Sequence, residues 1–224
     1  MSSQSVLAMD STSSPRVGTK VSAGNTTVEL YSTAKLPTRH GDFSVYVFRN
    51  NIDDLEHVAL VRGDNLSKAE NVPVRVHSEC LTGDVLGSLR CDCRDQLEVA
   101  LDLLGSEDKG ILVYMRQEGR GIGLGNKIKA YALQQQEGLD TVDANKHLGF
   151  DDDLRDYTVS GLIIKFFELN SIILATNNPL KVKGLENVGV KVAKRLPVIT
   201  QLNPHNVDYL RTKARKSGHL LPLS

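Results

Sequence analysis

All three cysteines of the chain, Cys80, Cys91 and Cys93, lie within fourteen consecutive residues, in the segment HSECLTGDVLGSLRCDC. This spacing differs from that of a zinc finger, which uses two well-separated pairs. Three thiolates are nevertheless enough to bind Zn²⁺ and leave one of its four tetrahedral positions for water, as in catalytic sites. Bound zinc lowers the pKa of its water to about 7, which supplies hydroxide at neutral pH. The cluster therefore predicts a metal site, and hydrolysis is one use of it.

Other interpretations of the three thiols stay open at this point. A closed structural zinc site would need a fourth ligand, such as His77. A redox-sensing dithiol would require a strained C-x-C pair. A buried core position explains one cysteine better than three at this density. The polar residues around the first cysteine favour a reactive site; they are His77, Ser78, Glu79, Thr82 and Asp84.

A glycine-rich segment, RQEGRGIGLGNK, lies between a predicted strand and a predicted helix. It contains four glycines at every second position from 119 to 125, with Arg116 and Arg120 between or beside them. Such a loop can present backbone N–H groups to an anion at the N-terminus of a helix. It is not a Walker A loop, because no G-K-[ST] follows the four-residue gap. A tight turn without a ligand has the same spacing, so the loop alone does not decide the function.

Two further polar segments are compatible with a phosphorylated ligand. ATNNPLK ends a predicted strand and opens a helix, with Asn178 as cap, Pro179 at the first helical position and Lys181 in the first turn. Thr176 and Lys181 could then face one phosphate, although a capped surface helix has the same pattern. The segment GFDDDLRDYT holds five charged residues within residues 151–156. By pattern alone we expect this charge run to be solvated.

The rest of the sequence predicts the elements that position these groups. Residues 43–50, 56–63 and 72–79 have the alternating or continuous apolar pattern of strands. From residue 94 onwards helices and strands alternate: helices at 94–105, 126–136, 159–170 and 206–218, and strands at 110–116, 171–176 and 190–197. The predicted class is α/β (α+β): an N-terminal β-strand meander leading into a layered mixed β-sheet core with flanking helices.

Composition bounds the domain organisation and the partners. Eleven of the first 27 residues are Ser or Thr, which predicts a disordered Ser/Thr-rich extension over residues 1–27 and a single domain over 28–224. The 27 basic and 27 acidic residues cancel, which argues against a general nucleic-acid or membrane-surface partner. No apolar run approaches the roughly 18 residues that cross a bilayer. We expect a cytoplasmic protein; an organellar transit peptide is less favoured because the N-terminus has few arginines.

Taken together, these segments resemble the GTP cyclohydrolase II family, whose members open the imidazole ring of GTP at the start of riboflavin biosynthesis. The resemblance covers about residues 34–221 and is carried by RVHSECLTGDVLGSLRCDC, RQEGRGIGLGNKIKAYALQ, LGFDDDLRDYT and TNNPLKV. It implies a zinc-dependent hydrolase that releases formate and pyrophosphate and leaves a 2,5-diamino-6-ribosylamino-pyrimidinone 5′-phosphate. It also implies one Zn²⁺ per subunit, Mg²⁺ with the triphosphate, and a homodimer.

The resemblance further implies roles for individual residues. Cys80, Cys91 and Cys93 match the zinc ligands, and Tyr131 matches a tyrosine that helps to complete ring opening. Asp153 matches a proton acceptor and Arg155 a nucleophile. The positions that match GTP contacts are Arg75, Val76, His77, Ser78, Glu79, Gln96, Glu118, Gly119, Arg120, Thr141, Thr176 and Lys181. The role of Arg155 stays open, because a guanidinium is a poor nucleophile and could instead stabilise the α-phosphate electrostatically.

The sequence departs from the family pattern at few positions. Arg94 stands where relatives often have glycine, and Gly125 stands where we expect leucine. The dihydroxybutanone phosphate synthase domain that is fused to many relatives has no counterpart in these 224 residues. Two rival functions are a zinc module that binds a macromolecule without turnover, and a degraded relative that binds GTP as a regulator. The second is disfavoured because each chemical position that can be matched is intact.

Overall fold

Alternating apolar side chains in the first part of the chain produce an antiparallel meander. The computed structural model describes residues 16–221, in which four strands follow one another. They are β1 (Lys20–Ala23), β2 (Thr26–Thr38), β3 (Gly41–Asn50) and β4 (His57–Arg62). Each strand pairs with the next in antiparallel register. Leu30 and Phe48 are partners in this ladder and both are fully buried, so the pairing also sets the core register.

The second part of the chain adds a parallel half to the same sheet. Its strands are β5 (Val72–Ser78), β6 (Gly110–Met115), β7 (Ile172–Ala175) and β8 (Val192–Leu196). The sheet order is β1-β2-β3-β4-β6-β5-β7-β8, with β6, β5, β7 and β8 parallel and β4 antiparallel to β6. Strand β6 is almost wholly buried, as expected for a parallel strand covered on both faces. The prediction of a mixed α/β sheet is confirmed.

Helices cover both faces of this sheet. They are α1 (Cys93–Ser106), α2 (Gly123–Glu137), α3 (Thr141–His147), α4 (Thr158–Phe166), α5 (Pro179–Asn187) and α6 (Val207–Arg215). Ile111 and Val113 of β6 belong to the larger core cluster, which contains the apolar residues of α4. Leu112, on the other face of β6, packs in a smaller cluster with Ala100 and Leu104 of α1. The alternation within β6 therefore places α1 and α4 on opposite faces.

The prediction that residues 1–27 form a disordered extension was wrong for its last part. Residues 16–27 contain β1 and the start of β2, and Val21 packs against the core. An edge hairpin is stabilised by the backbone ladder as well as by burial, so its Ser/Thr content does not exclude order. Residues 1–15, also assigned to the extension, lie outside the described residues. Within residues 16–221, no helix combines the length and the apolar character needed to span a bilayer.

Candidate active site at the carboxyl ends of the parallel strands

Three of the predicted functional segments follow the parallel strands. Strand β5 ends at Ser78, directly before Glu79 and Cys80. The glycine-rich loop follows β6, and the TNNPLK segment follows β7. Because parallel strands end at the same edge of a sheet, three segments distant in sequence meet there. This edge is where ligands bind in open α/β sheets.

The three cysteine sulfurs form one compact cluster at this edge. Their Sγ atoms all lie within 4.8 Å of one another, and Cys80 and Cys91 are 3.7 Å apart. Three sulfurs around a tetrahedral zinc with bonds of about 2.3 Å would lie roughly 3.8 Å apart, so the donor set fits this metal. Among residues 16–221, no other group of three or more His, Cys, Asp or Glu donors is gathered so closely. The predicted metal site is therefore supported by the geometry.

Ionisation of the three thiols in the absence of a cation is uneven. The pKa of Cys80 is lowered, because Cys91 and Cys93 hydrogen-bond to its sulfur and Lys127 lies beside it. The same hydrogen bonds raise the pKa of Cys91 to about 11 and that of Cys93 well above its ordinary value. Three thiolates this close repel one another, so a cation is what would hold all three ionised.

His77 does not join the sulfur cluster. Its Nε2 atom donates to the carboxylate of Asp84, at 3.0 Å from Oδ2, and its ring stacks on Tyr114. Asp84 also accepts from the Tyr114 hydroxyl at 2.7 Å and from the backbone N–H of Cys80 at 3.0 Å. The carboxylate therefore ties β5 and β6 to the first cysteine. A closed site with His77 as the fourth ligand gains no support from this arrangement.

The backbone after Cys80 winds into one wide turn of π-type helix, Leu81–Val85. Gly83 within this turn faces the sulfurs: an added Cβ would lie 2.8 Å from Cys91 Sγ and 3.2 Å from Cys80 Sγ. Real Cβ atoms essentially never come within 3.0 Å of another atom, so the contact with Cys91 Sγ would force a shift. Gly83 is therefore required for the sulfurs to converge, although it has no unusual φ angle.

A buried ion pair supports the cluster from the side of the glycine-rich loop. The Lys127 ammonium donates to Cys80 Sγ at 3.0 Å and to Glu118 Oε1 at 2.8 Å. The other oxygen of Glu118 accepts from the backbone N–H of Leu81 at 2.6 Å. Burial opposes the charge of Lys127, but neighbouring groups including Cys80 and Glu118 keep its pKa above the ordinary value. Glu118, which the resemblance matches to a GTP contact, thus stabilises the turn that follows Cys80.

A single cavity of about 980 Å³, including the solvent at its mouth, joins the sulfur cluster to the other predicted residues. Sixteen of the eighteen predicted site residues line it: Arg75, His77, Ser78, Glu79, Cys80, Cys91, Cys93, Gln96, Glu118, Gly119, Arg120, Tyr131, Thr141, Arg155, Thr176 and Lys181. Val76 does not, because its side chain lies in the main core. Asp153 reaches the cavity only through its contact with Arg155. Their contacts with a nucleotide remain predictions.

Among residues 16–221, two cations at the cavity are buried without a carboxylate partner. The guanidinium of Arg75 donates to the Ala175 carbonyl at 2.9 Å and to Gln96 Oε1 at 2.7 Å. The ammonium of Lys181 donates to the Val76 carbonyl at 2.7 Å. Burial lowers the pKa of Arg75 to about 10; burial and the charges of Arg75 and Arg155 lower that of Lys181. Buried charges are normally paired, so this part of the cavity fits an anion.

The acidic segment after α3 contributes the other charged pair. Arg155 donates to Asp153 through Nε at 2.7 Å and Nη2 at 2.5 Å, with both side chains about nine-tenths buried. Burial opposes both charges, but the bidentate hydrogen bonds outweigh it, so the pKa of Asp153 is lowered and that of Arg155 raised. The expectation of a wholly solvated charge run was therefore wrong for these two residues. Asp151 and Asp156 are exposed as expected, whereas Asp152 is partly buried and pairs with Arg120.

Tyr131 lies on α2, and two cations lie near its ring. The guanidinium carbon of Arg90 lies 4.6 Å from the ring centroid, and Lys127 Nζ lies 5.8 Å from it. Arg90 is itself held by Gln134 Oε1 at 3.1 Å. Burial raises the pKa of the Tyr131 hydroxyl, which keeps its proton on at neutral pH. Tyr131 thus presents a protonated hydroxyl at the same cavity as the sulfurs.

Two residues that organise the site were not singled out by the sequence: Gly83 as a contact of the sulfurs and Lys127 as a donor to Cys80. Asp84 was noted among the polar residues near the first cysteine, but not as the acceptor of three hydrogen bonds. The spacing of Gly83 and Asp84 within CLTGDV gave the only available signal, a glycine beside an acidic residue next to a ligand. Lys127 gave none, because a lysine in the first turns of an amphipathic helix is common.

Comparison with known proteins identifies the family. Residues 29–197 match the family model for GTP cyclohydrolase II. The chain is 54% identical over 193 residues to GTP cyclohydrolase-2 of Picrophilus torridus, covering 86% of this chain and 99% of that protein. It is 52% identical over 196 residues to the riboflavin biosynthesis protein RibBA of Bacillus subtilis, covering 88% of this chain and 49% of that protein.

Other similarities differ in how much of each protein they cover. The Synechocystis RibBA protein is 49% identical over 195 residues, and the chain covers 35% of its length. The chain thus spans about half or less of the RibBA proteins it matches. Among solved structures, RibBX of A. baumannii, a two-domain 3,4-dihydroxy-2-butanone 4-phosphate synthase, aligns over 78% of this chain and 40% of its own length. The TM-score of 0.43 and the sequence identity of 18% are too low to support an inference. The family match and the Picrophilus relative agree: the chain belongs to the GTP cyclohydrolase II family.

Proposed function

We propose that this chain opens the imidazole ring of GTP, releasing formate and pyrophosphate, as the first committed step of riboflavin biosynthesis. One observation carries the proposal: a three-thiol cluster lines the same cavity as Arg75 and Lys181, two buried cations that have no carboxylate partner in the described part of the chain. The thiols fit a hydrolytic metal, and the cations fit phosphate. A nucleotide that offers a ring carbon to one end and phosphates to the other matches both.

Cys80, Cys91 and Cys93 would hold the zinc ion. Zinc bound in this way supplies a Lewis acid and lowers the pKa of a coordinated water. Two neighbouring carboxylates fix the backbone at the first cysteine: Asp84 accepts a hydrogen bond from the N–H of Cys80, and Glu118 accepts one from the N–H of Leu81.

Glu79 is the group best placed to recognise the guanine edge. Its carboxylate lines the cavity and lies 3.7 Å from Arg116 as its nearest ion-pair partner, so acceptor capacity remains for N1–H and the exocyclic amine. Gln96 has a different role, since Oε1 accepts from Arg75 and Nε2 donates to Asp92 at 2.5 Å. Gln96 therefore orients Arg75 rather than reading the base.

Ring opening leaves a formamide, and a second hydrolysis of that formamide releases formate. Tyr131 would donate a proton to the leaving nitrogen in this second step, because an amide-like nitrogen leaves more readily when protonated. Its raised pKa supports the protonated form at neutral pH. Loss of the hydroxyl in Tyr131→Phe should leave nucleotide binding intact while the second hydrolysis, which releases formate, is slowed. A formamide product that accumulates in this variant would support the assignment.

Arg155 acts in this proposal as an electrostatic stabiliser of the α-phosphate. The bidentate pair with Asp153 keeps the guanidinium charged and leaves a carboxylate whose lowered pKa makes it a weak base. A covalent phosphoramide would require Asp153 to remove a proton from that same guanidinium. Pyrophosphate release by Arg155→Lys, which keeps the charge, supports the electrostatic role. An adduct trapped on the wild type and absent from Arg155→Lys would instead establish the covalent one.

Two finer features of the proposal come from the family resemblance. Mg²⁺ would accompany the triphosphate and, with Arg120 and Lys181, stabilise the departing diphosphate. A homodimer would form, and the loop next to the cysteines offers apolar surface for it, since Val85, Leu86 and Leu89 are 62%, 70% and 60% exposed. Light scattering on the purified protein gives the subunit number, and a monomer at assay concentration would rule the dimer out.

The function is tested by incubating purified protein with GTP and quantifying formate and pyrophosphate by mass spectrometry. The wild type should release both in equal amounts. Cys91→Ser should release no formate, because a serine hydroxyl does not replace a thiolate zinc ligand. A wild type that binds zinc and releases neither product would instead favour a non-enzymatic zinc module or a regulator.

A further inference from the structure

Residues 198–221, here called the C-terminal segment, lie beyond the 29–197 range of the family match and yet adjoin the cavity. The segment contains α6 and three cavity-lining residues, Tyr209, Lys213 and His219. Its hydrogen bonds and ion pairs reach four separate loops of the site: Thr200 and Lys213 to Asp92, Ser217 to Arg120, Lys216 to Asp140, and Leu220 to Asn177.

Lys213 is the charged residue that this segment places inside the site. The side chain is 10% exposed, and its Nζ atom donates to Asp92 Oδ1 at 3.3 Å. Asp92 stands between two of the cysteines and is 1% exposed. It also accepts from Gln96 and Thr200, so Lys213 is one of three donors to it.

The ammonium of Lys213 retains unused capacity. It has three N–H donors, and within residues 16–221 its one recorded hydrogen bond is the long contact with Asp92. Its charge also acts on groups across the cavity. The pKa of His219 is lowered to about 3, first by burial and then by the charges of Lys213, Arg120 and Arg155. Lys213 therefore belongs to the same cationic region as the buried Lys181, whose pKa it also lowers.

We propose that Lys213 is a substrate-binding residue, which α6 supplies to the phosphate end of the nucleotide while Asp92 holds it. The inference rests on the proposed function, because it takes the cavity to bind a nucleoside triphosphate. The C-terminal segment would then bind the substrate directly. Through the hydrogen bond of Lys213 with Asp92, the phosphate-binding end of the cavity would also be connected to the loop that contains Cys91 and Cys93.

The alternative is that Lys213 only neutralises the buried Asp92. Removing the lysine alone leaves an uncompensated carboxylate beside the metal ligands, which damages the site in either case. The informative variant is therefore the double change Lys213→Met with Asp92→Asn, which removes both charges together. Arg211→Met serves as the matched control, because it removes one exposed positive charge from the same helix.

The experiment measures two dissociation constants and the zinc content of each protein. The probes are guanosine 5′-[α,β-methylene]triphosphate, which lacks the bond cleaved in pyrophosphate release, and guanosine, which lacks the phosphates. We expect the double variant to retain zinc and to bind guanosine as the wild type does. Its affinity for the triphosphate analogue should fall about tenfold or more, as for a lost charge-assisted hydrogen bond. Arg211→Met should bind both probes normally.

Two results would overturn this inference alone, and a third would overturn it together with the proposed function. A double variant that keeps zinc and wild-type affinity for the triphosphate analogue shows that Lys213 only balances Asp92. If the double variant loses zinc, Lys213→Gln decides, because its amide N–H can still donate to Asp92 but carries no charge for a phosphate: unchanged discrimination between analogue and guanosine in the zinc-loaded glutamine variant also refutes the role. A wild type that neither binds the analogue nor consumes GTP would overturn the proposed function together with this inference.

Discussion

The geometry of the sulfur cluster can be tested by adding a single methyl group at Gly83, in the variant Gly83→Ala. A Cβ at this position would lie 2.8 Å from Cys91 Sγ and 3.1 Å from Cys93 Cβ. Nonbonded heavy atoms prefer separations of roughly 3.5–4.0 Å, so Cys91 Sγ or the turn must move by about 0.7 Å or more. Metal–ligand distances tolerate only about 0.2 Å.

Gly83→Ala should therefore separate the sulfurs beyond the reach of one zinc ion. Changes in groups that merely support metal ligands cost about 10–100-fold in affinity, so displacing a ligand should cost about 100-fold or more. This corresponds to about 2.7 kcal/mol. The assay is competition for zinc with a chromophoric chelator, together with the sulfur-to-metal charge-transfer band of the cobalt-substituted protein.

Gly125→Ala provides the matched control, because an added Cβ at Gly125 has no atom within 4 Å and the backbone is helical. It should bind zinc as the wild type does. Circular dichroism of both variants checks that the sheet remains folded. Wild-type zinc affinity in a folded Gly83→Ala protein would refute the argument, since the sulfurs could then not be packed against this turn.

Further predictions concern the residues around the cluster and the anion end. Lys127→Met should weaken zinc binding by about 10–100-fold in the same chelator assay, whereas the exposed Lys129→Met should not, because only Lys127 donates to a ligand sulfur. Burial and neighbouring cations lower the pKa of Lys181, so its charge is lost at a lower pH than that of a free lysine. Binding of the triphosphate analogue, measured by calorimetry, should thus weaken as pH rises through this lowered pKa. The Lys181→Met variant should bind the triphosphate analogue weakly, and its affinity should not fall further as pH rises. If the affinity of this variant still falls with pH as in the wild type, another group causes the pH dependence.

The long periodic elements of the fold were predictable from the sequence. Helices α1 and α4 and strand β6 have strong apolar patterns, and their predicted bounds agree with the structure to within a few residues. Strand β2 was not identified as such, because its last residues are mostly exposed and its order comes from pairing with β3. Helix α3 was also missed: seven residues carry too few positions for a periodic signal.

The site residues that belong to sequence motifs were predictable, whereas those that reach the site only through tertiary packing were not. The cysteines and the motif residues, located by spacing and resemblance, meet in one cavity because their segments follow neighbouring parallel strands. The contacts of Lys127 with Cys80 and of Lys213 with Asp92 join residues 47 and 121 positions apart. Local sequence has no signal for such contacts, since they exist only after the sheet has assembled.

The most direct test of the central claim is a titration of the purified protein with zinc. The metal is first removed with a chelator, and formate release from GTP is then measured as Zn²⁺ is added back. We expect no formate from the metal-free protein, and formate release that rises in proportion to bound zinc up to one ion per chain. Formate released at the full rate by protein shown to be free of metal would contradict it.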